Sequence, residues 1–229
     1  MYLVPPHPLL ALLPRSSRFI APLLVTLCIA GNAIAATTTA TVVDGSGAPV
    51  VDAVVYALPL PGTALPARVA RQAAIEQINR EFVAHVTVVQ TGTTINFPNR
   101  DPLLHHVYSF SPVKSFEIKL YSGDAPRGIL FDKPGEVTLG CNIHDWMLGY
   151  VFVVDTPFFA KTNQAGVARL GDMTAGNFEL RVWHPRQRGN VPPRPVKLDA
   201  KSSITLDFAI NVAPRNTQFK PPAAPIQYR

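Results

Sequence analysis

Gly140-Cys141-Asn142-Ile143-His144-Asp145-Trp146-Met147 places a thiol, an imidazole and a thioether at successive three-residue steps within one short loop. The flanking segments, Glu136 to Cys141 and Gly149 to Val154, alternate as half-buried strands do. A loop between two such strands can bring Cys141, His144 and Met147 toward one point. A fourth group must arrive from a distant strand. Leu104-His105-His106-Val107 offers it, just after the Pro98-Asn99-Arg100-Asp101-Pro102 loop. Successive strand residues point to opposite faces, so one of the two histidines turns inward. His105 is preferred and His106 is its competitor.

The chain has two cysteines, and the other one, Cys28, lies in a segment that reads as a secretory signal. Arg15 and Arg18 are its only charges, and Phe19 to Ala30 is an almost unbroken apolar run. Ala33-Ile34-Ala35 then gives a small-x-small cleavage pattern before Ala36. The run is about a dozen residues against the ~20 a spanning helix needs. Residue Leu27 before Cys28 is not small, which argues against a lipoprotein. An exported, periplasmic protein without stable membrane insertion is expected. Cys141 is then alone in an oxidising compartment, where cysteines usually pair. An inert buried thiol would explain a lone cysteine, but not one with His144 and Met147 beside it.

Losing the leader lowers the formal net charge of +6 by two arginines. The remaining basic residues, Arg68, Arg71, Arg186, Arg188 and Arg194 among them, form no block, so no nucleic-acid partner is expected. Thr37 to Val43 and Val50 to Leu58 read as a hairpin across the Asp44 to Pro49 turn. Ala67 to Arg80 reads as a linker or one short helix, and Glu76, Asn79 and Arg80 belong to no recognisable motif. From Phe82 to Asp155 the pattern is strand and turn throughout, as in an antiparallel sandwich or barrel. Asn177 to Trp183 and Ser203 to Asn211 add strands, and a Pro-rich tail follows. The expected organisation is a leader (1–35), a β-sandwich in two pieces (36–62 and 156–212), a linker (63–81), a central β-domain (82–155) and an unstructured tail (213–229).

Two imidazoles, a thiolate and a weak thioether form the ligand set of a mononuclear electron-transfer copper site. Catalytic zinc could accept Cys and two His with water in the fourth place. Met147 at ligand spacing, and the absence of a Glu base in the loop, favour copper. A Cys–His nucleophile pair would explain neither His105 nor Met147. Trp146 either joins an apolar docking face around His144 or packs on its neighbours.

Ile95-Asn96-Phe97-Pro98-Asn99, His105-His106-Val107, Phe131, Pro134-Gly135 and Cys141-x-x-His144-x-x-Met147-x-Gly149 together resemble the cupredoxins. The short gap before Met147 is similar to that of amicyanins. The whole chain resembles exported proteins labelled "methylamine utilization protein", which join such a domain to a transthyretin-like or carboxypeptidase-regulatory-like sandwich. Thr41 to Tyr56 and Thr162 to Trp183 carry the likeness to that second module. The resemblance implies an all-β chain: a cupredoxin Greek-key sandwich inserted in, or packed beside, a small transthyretin-like sandwich. It implies one type 1 copper held by His105, Cys141, His144 and Met147. The function it implies is single-electron transfer between periplasmic redox partners, with no enzymatic step. The alternative is a copper storage, sensing or structural module. His106 stands where the family usually has Asn, a residue that ties the two ligand loops together.

Overall fold

The computed structural model describes residues 36–214. The expected leader, and the expected tail after its first two residues, lie outside the described residues. Among the described residues every regular element is a strand.

Strand Ala36–Val43 alternates buried and half-buried positions along its whole length, so Ala36, Thr38, Ala40 and Val42 face one core. It runs parallel to Ser203–Ala209 and antiparallel to Val167–Met173. A second sheet has the order Phe159–Lys161, Val54–Pro59, Gly176–Trp183, Arg194–Leu198, with Val55 opposite Val182 and Ala57 opposite Leu180. The two sheets enclose a core that includes Val42, Val55, Leu170, Phe178, Leu180 and Phe208. Gly166 has φ +71°, and a Cβ there would lie 2.6 Å from the Val42 carbonyl oxygen, so the turn into Val167–Met173 needs glycine.

The hairpin expected across Asp44 to Pro49 does not form. The Asp44 carboxylate accepts from Ser46 N (2.8 Å) and Ala48 N (3.0 Å) and closes the turn. Only the isolated bridge of Val43 with Pro49 follows. The buried Thr162 then redirects the chain: its hydroxyl donates to the Val50 carbonyl (2.6 Å) and accepts from Ala53 N (2.9 Å). Val54–Pro59 therefore enters the opposite sheet. Two apolar runs joined by a tight turn suit a sandwich corner as well as a hairpin.

The central part contains a five-stranded sheet in the order Val86–Gln90, Leu148–Val154, Gly135–Gly140, His105–Ser111, Lys114–Tyr121. A three-stranded sheet, Ile129–Phe131, Thr93–Asn96, Arg71–Ala74, covers it. Ile75, Ile95, Phe97, Phe131, Leu139 and Val151 are among the residues of the core between them. The linker or helix expected over Ala67 to Arg80 is instead strand. Arg71–Ala74 pairs in parallel with Thr93–Asn96, and Glu76–Ile78 pairs with Glu81–Val83. Ile75 and Gln77 are buried and Ala73 is half-buried, a period of two that helix-forming Ala, Arg, Gln and Glu conceal.

Leu148–Val154 is buried on both faces over its second half. Val151 and Val153 point into the central core, while Phe152 and Val154 join Val54 and Val86 in a separate cluster. There Phe152 stacks on Trp183, with ring centroids 4.3 Å apart and 7° between planes. The central sheet is thus packed on the sheet that contains Gly176–Trp183.

His184, directly after that strand, is 4% exposed. Burial first, then the nearby Arg186 charge, holds its imidazole down at about 4. Its Nδ1 accepts from Arg186 N (3.1 Å), a bond the protonated ring would lose. The unfolded chain binds this proton near 6.5 and the folded chain only near 4, so stability is expected to fall as pH drops through that window. Asn at this position keeps an acceptor and cannot charge. Melting temperatures of His184→Asn should vary less between pH 6.5 and 4 than those of the parent; identical slopes would contradict this.

Candidate metal centre

The centre lies where the adjacent strands His105–Ser111 and Gly135–Gly140 end on the same side. Cys141 follows the second strand directly, and His105 opens the first. Gly140 pairs with Tyr108, and its missing side chain leaves room for the tyrosine ring, which a Cβ would approach to 2.6 Å. The Cys141–Met147 loop closes with a turn in which Met147 N donates to His144 O (2.9 Å), and the chain re-enters the sheet at Leu148.

Cys141 Sγ lies 3.9 Å from His105 Nδ1 and 3.6 Å from His144 Nδ1. One donor atom from each of the three residues falls within 4.8 Å of the others. Metal–sulfur and metal–nitrogen bonds of about 2.3 and 2.0 Å at open angles place neighbouring donors about 3.5–4 Å apart. The two sulfur–nitrogen spacings and the donor types therefore fit a soft or borderline metal ion. Met147, 2% exposed, belongs to the same core cluster as Cys141. His106 is not in the group: its Nε2 meets Glu117 Oε1 at 2.9 Å, away from the cysteine. The structure thus brings together His105, Cys141 and His144, with Met147 buried nearby.

The electrostatics of the three groups are coupled. Burial pushes the Cys141 thiol up. Hydrogen bonds from the His105 ring and from the His106 and Ile143 backbone outweigh burial and hold the thiol below its usual range. For His105, burial favours the neutral ring, but Cys141 and Asp101 outweigh it and raise the imidazole. His144 is held low by burial and by the positive fields of His105 and Arg80. These residues bind metal as a thiolate and neutral imidazoles, so an ion entering here would displace the proton that Cys141 and Asp101 favour on His105.

His144 is 1% exposed, and its Nε2 is buried with no hydrogen-bond partner among the described residues. Its sequence neighbour Ile143 (41% exposed) and Leu104 (47%), the residue before His105, are exposed apolar side chains. Trp146 packs rather than projects. Its ring lies 5.3 Å from that of His144 and its indole N–H donates to Arg80 O (3.2 Å).

Sequence reasoning missed Asp101. Its Oδ2 meets His105 Nε2 at 2.7 Å, and its carboxylate also accepts from Asn79 N (2.7 Å) and Arg80 N (2.8 Å). The four-residue offset from His105 was the only local signal.

No protein-family model matches the chain, and no curated protein sequence matches it. Among solved structures, cupredoxins are similar to part of it. A purple cupredoxin from Nitrosopumilus maritimus is 20% identical, covering 36% of this chain and 99% of its own, with a TM-score of 0.33. Amicyanin from Paracoccus versutus is 17% identical over 42% of this chain and 85% of its own, with a TM-score of 0.31. A copper-containing nitrite reductase from Thermus scotoductus is 22% identical over 42% of this chain but only 25% of the enzyme, with a TM-score of 0.34.

Proposed function

We propose that this chain is an exported copper protein with a cupredoxin-like central domain that carries single electrons between periplasmic redox partners. The observation that carries the reading is the buried convergence of His105, Cys141 and His144 through Nδ1, Sγ and Nδ1. Those three residues, with Met147 as a weak axial donor, would hold one type 1 copper. Copper, when bound, supplies a one-electron change between two oxidation states that a soft, mixed ligand set can both accommodate. The chain's own part is to keep the donors fixed and dry. His105 and Cys141 are anchored on neighbouring strands, and His144 is pinned under Trp146. Water exclusion follows from burial of all four side chains to 4% exposure or less. A thiol so buried is poorly placed to attack a substrate, which argues against an enzymatic role for Cys141.

Segments 36–62 and 156–212 would form one transthyretin-like sandwich around a central domain that takes in Arg71–Ala74 as well as 82–155, as in exported proteins of the methylamine-utilization type. The pairing of Val54–Pro59 with Gly176–Trp183 supports this. The exposed Leu104 and Ile143 would form the contact face for a redox partner.

The burial of His144 Nε2 favours a second reading, in which copper is stored or sensed rather than oxidised and reduced in passing. Voltammetry of the copper-loaded protein separates the two. An electron carrier is expected to give a reversible one-electron wave and keep its metal over repeated cycles. Release of copper on reduction would overturn electron transfer in favour of storage or sensing.

A further inference from the structure

Resting on that reading, we propose that the Glu76–Ile78 and Glu81–Val83 hairpin, acting through Asp101 and Trp146, is an outer coordination sphere that positions both histidines of the copper centre. The strands join through the two-residue turn Asn79-Arg80, with Ile78 opposite Glu81. Both turn residues have positive φ, 56° and 59°, as a type I′ turn requires. Asn79 suits its left-handed position, but Arg80 stands where such a turn favours glycine, so half of the turn goes against local preference.

The Asp101 carboxylate answers that turn. It accepts Asn79 N at Oδ1 and Arg80 N at Oδ2, and Oδ2 also receives His105 Nε2 at 2.7 Å. Its side chain is only 8% exposed. With Nε2 held as donor, Nδ1 is turned toward Cys141 Sγ. On the other side of the turn, the Arg80 carbonyl accepts the Trp146 indole N–H, and the Arg80 guanidinium lies 5.9 Å from the centre of the indole ring. Trp146 packs on His144. One dipeptide therefore reaches His105 through Asp101 and His144 through Trp146.

The hairpin is itself fastened to the ligand loop. Gln77 N donates to Pro98 O and Arg100 N to Gln77 O, each at 2.9 Å. Asn99, 3% exposed, spends its amide on Leu103 O and Tyr121 O and accepts Asp101 N at 2.9 Å. That fixes the backbone of the carboxylate. An anionic partner on His105 makes the imidazole a stronger donor and favours the more highly charged metal state, so Asp101 would set the reduction potential as well as the ring position.

The test compares the full chain with Asp101→Ala and Asp101→Asn, measuring Cu(II) affinity by chelator competition, the reduction potential and the melting curve without metal. Ala removes the acceptor; Asn keeps an oxygen for His105 and loses the charge. Asp101→Ala is expected to weaken Cu(II) binding by roughly 10–100-fold, with Asp101→Asn intermediate. The potential should rise in the order parent, Asn, Ala. Variants that melt like the parent and keep its affinity and potential would overturn the outer-sphere role while leaving the copper reading intact. A parent that binds no copper overturns both. If the Ala variant does not fold, an Asn variant with the parent's potential and affinity overturns the proposal by itself.

Discussion

Cys141→Ser is expected to fold normally and to lose tight copper binding together with intense visible colour. The substitution is nearly isosteric at a site only 4% exposed, so the core around Val107, Leu139 and Met147 keeps its packing. The change is chemical. A serine hydroxyl stays protonated and hard, whereas the thiol is held below its usual range by His105 and by the His106 and Ile143 backbone. Loss of a direct soft ligand should cost more than the roughly 10–100-fold in affinity that follows loss of an outer partner. Competition against a chelator of known affinity measures it. A serine variant that binds Cu(II) as tightly as the parent would mean that the metal, if bound, sits elsewhere.

Phe178→Ala should have the largest effect on stability. Phe178 is fully buried on Gly176–Trp183 and meets Phe158 edge to face at 5.6 Å. Emptying such a site costs about 3–5 kcal/mol through lost transfer energy and the cavity left behind. For a chain of this size that is a fall of roughly 6–20 °C in melting temperature. Because Phe152 of the central sheet stacks on Trp183 of the same strand as Phe178, the central part should melt in the same transition. Calorimetry checks this. A second, unshifted transition for the central part would contradict it.

The candidate metal site was legible in the sequence where its residues are local. Cys141, His144 and Met147 lie within one turn of chain between two alternating strands, and Gly135–Gly140 and Leu148–Val154 fall close to where alternation puts them. His105 was legible as one of two candidates, and the structure places it, not His106, against the cysteine. What escaped was whatever depends on distant pairing. Arg71–Ala74 looks helical because its side chains favour helix, and only the parallel partner Thr93–Asn96 makes it a strand. The Asn79-Arg80 turn has no glycine to announce it, and its stabilising carboxylate comes from Asp101, beyond three intervening strands. The Asp44 turn was recognised correctly as a turn, but a turn does not say whether the next strand pairs in the same sheet or crosses to the facing one. Thr162, more than a hundred residues away, makes that choice.

The most direct measurement is a titration of the purified protein lacking residues 1–35 with Cu(II), followed in the visible range and by thiol assay. An intense thiolate-to-copper band that saturates at one copper per chain is expected, with Cys141 protected from thiol reagents once the metal is bound. A colourless protein whose Cys141 titrates freely in the presence of copper would contradict it.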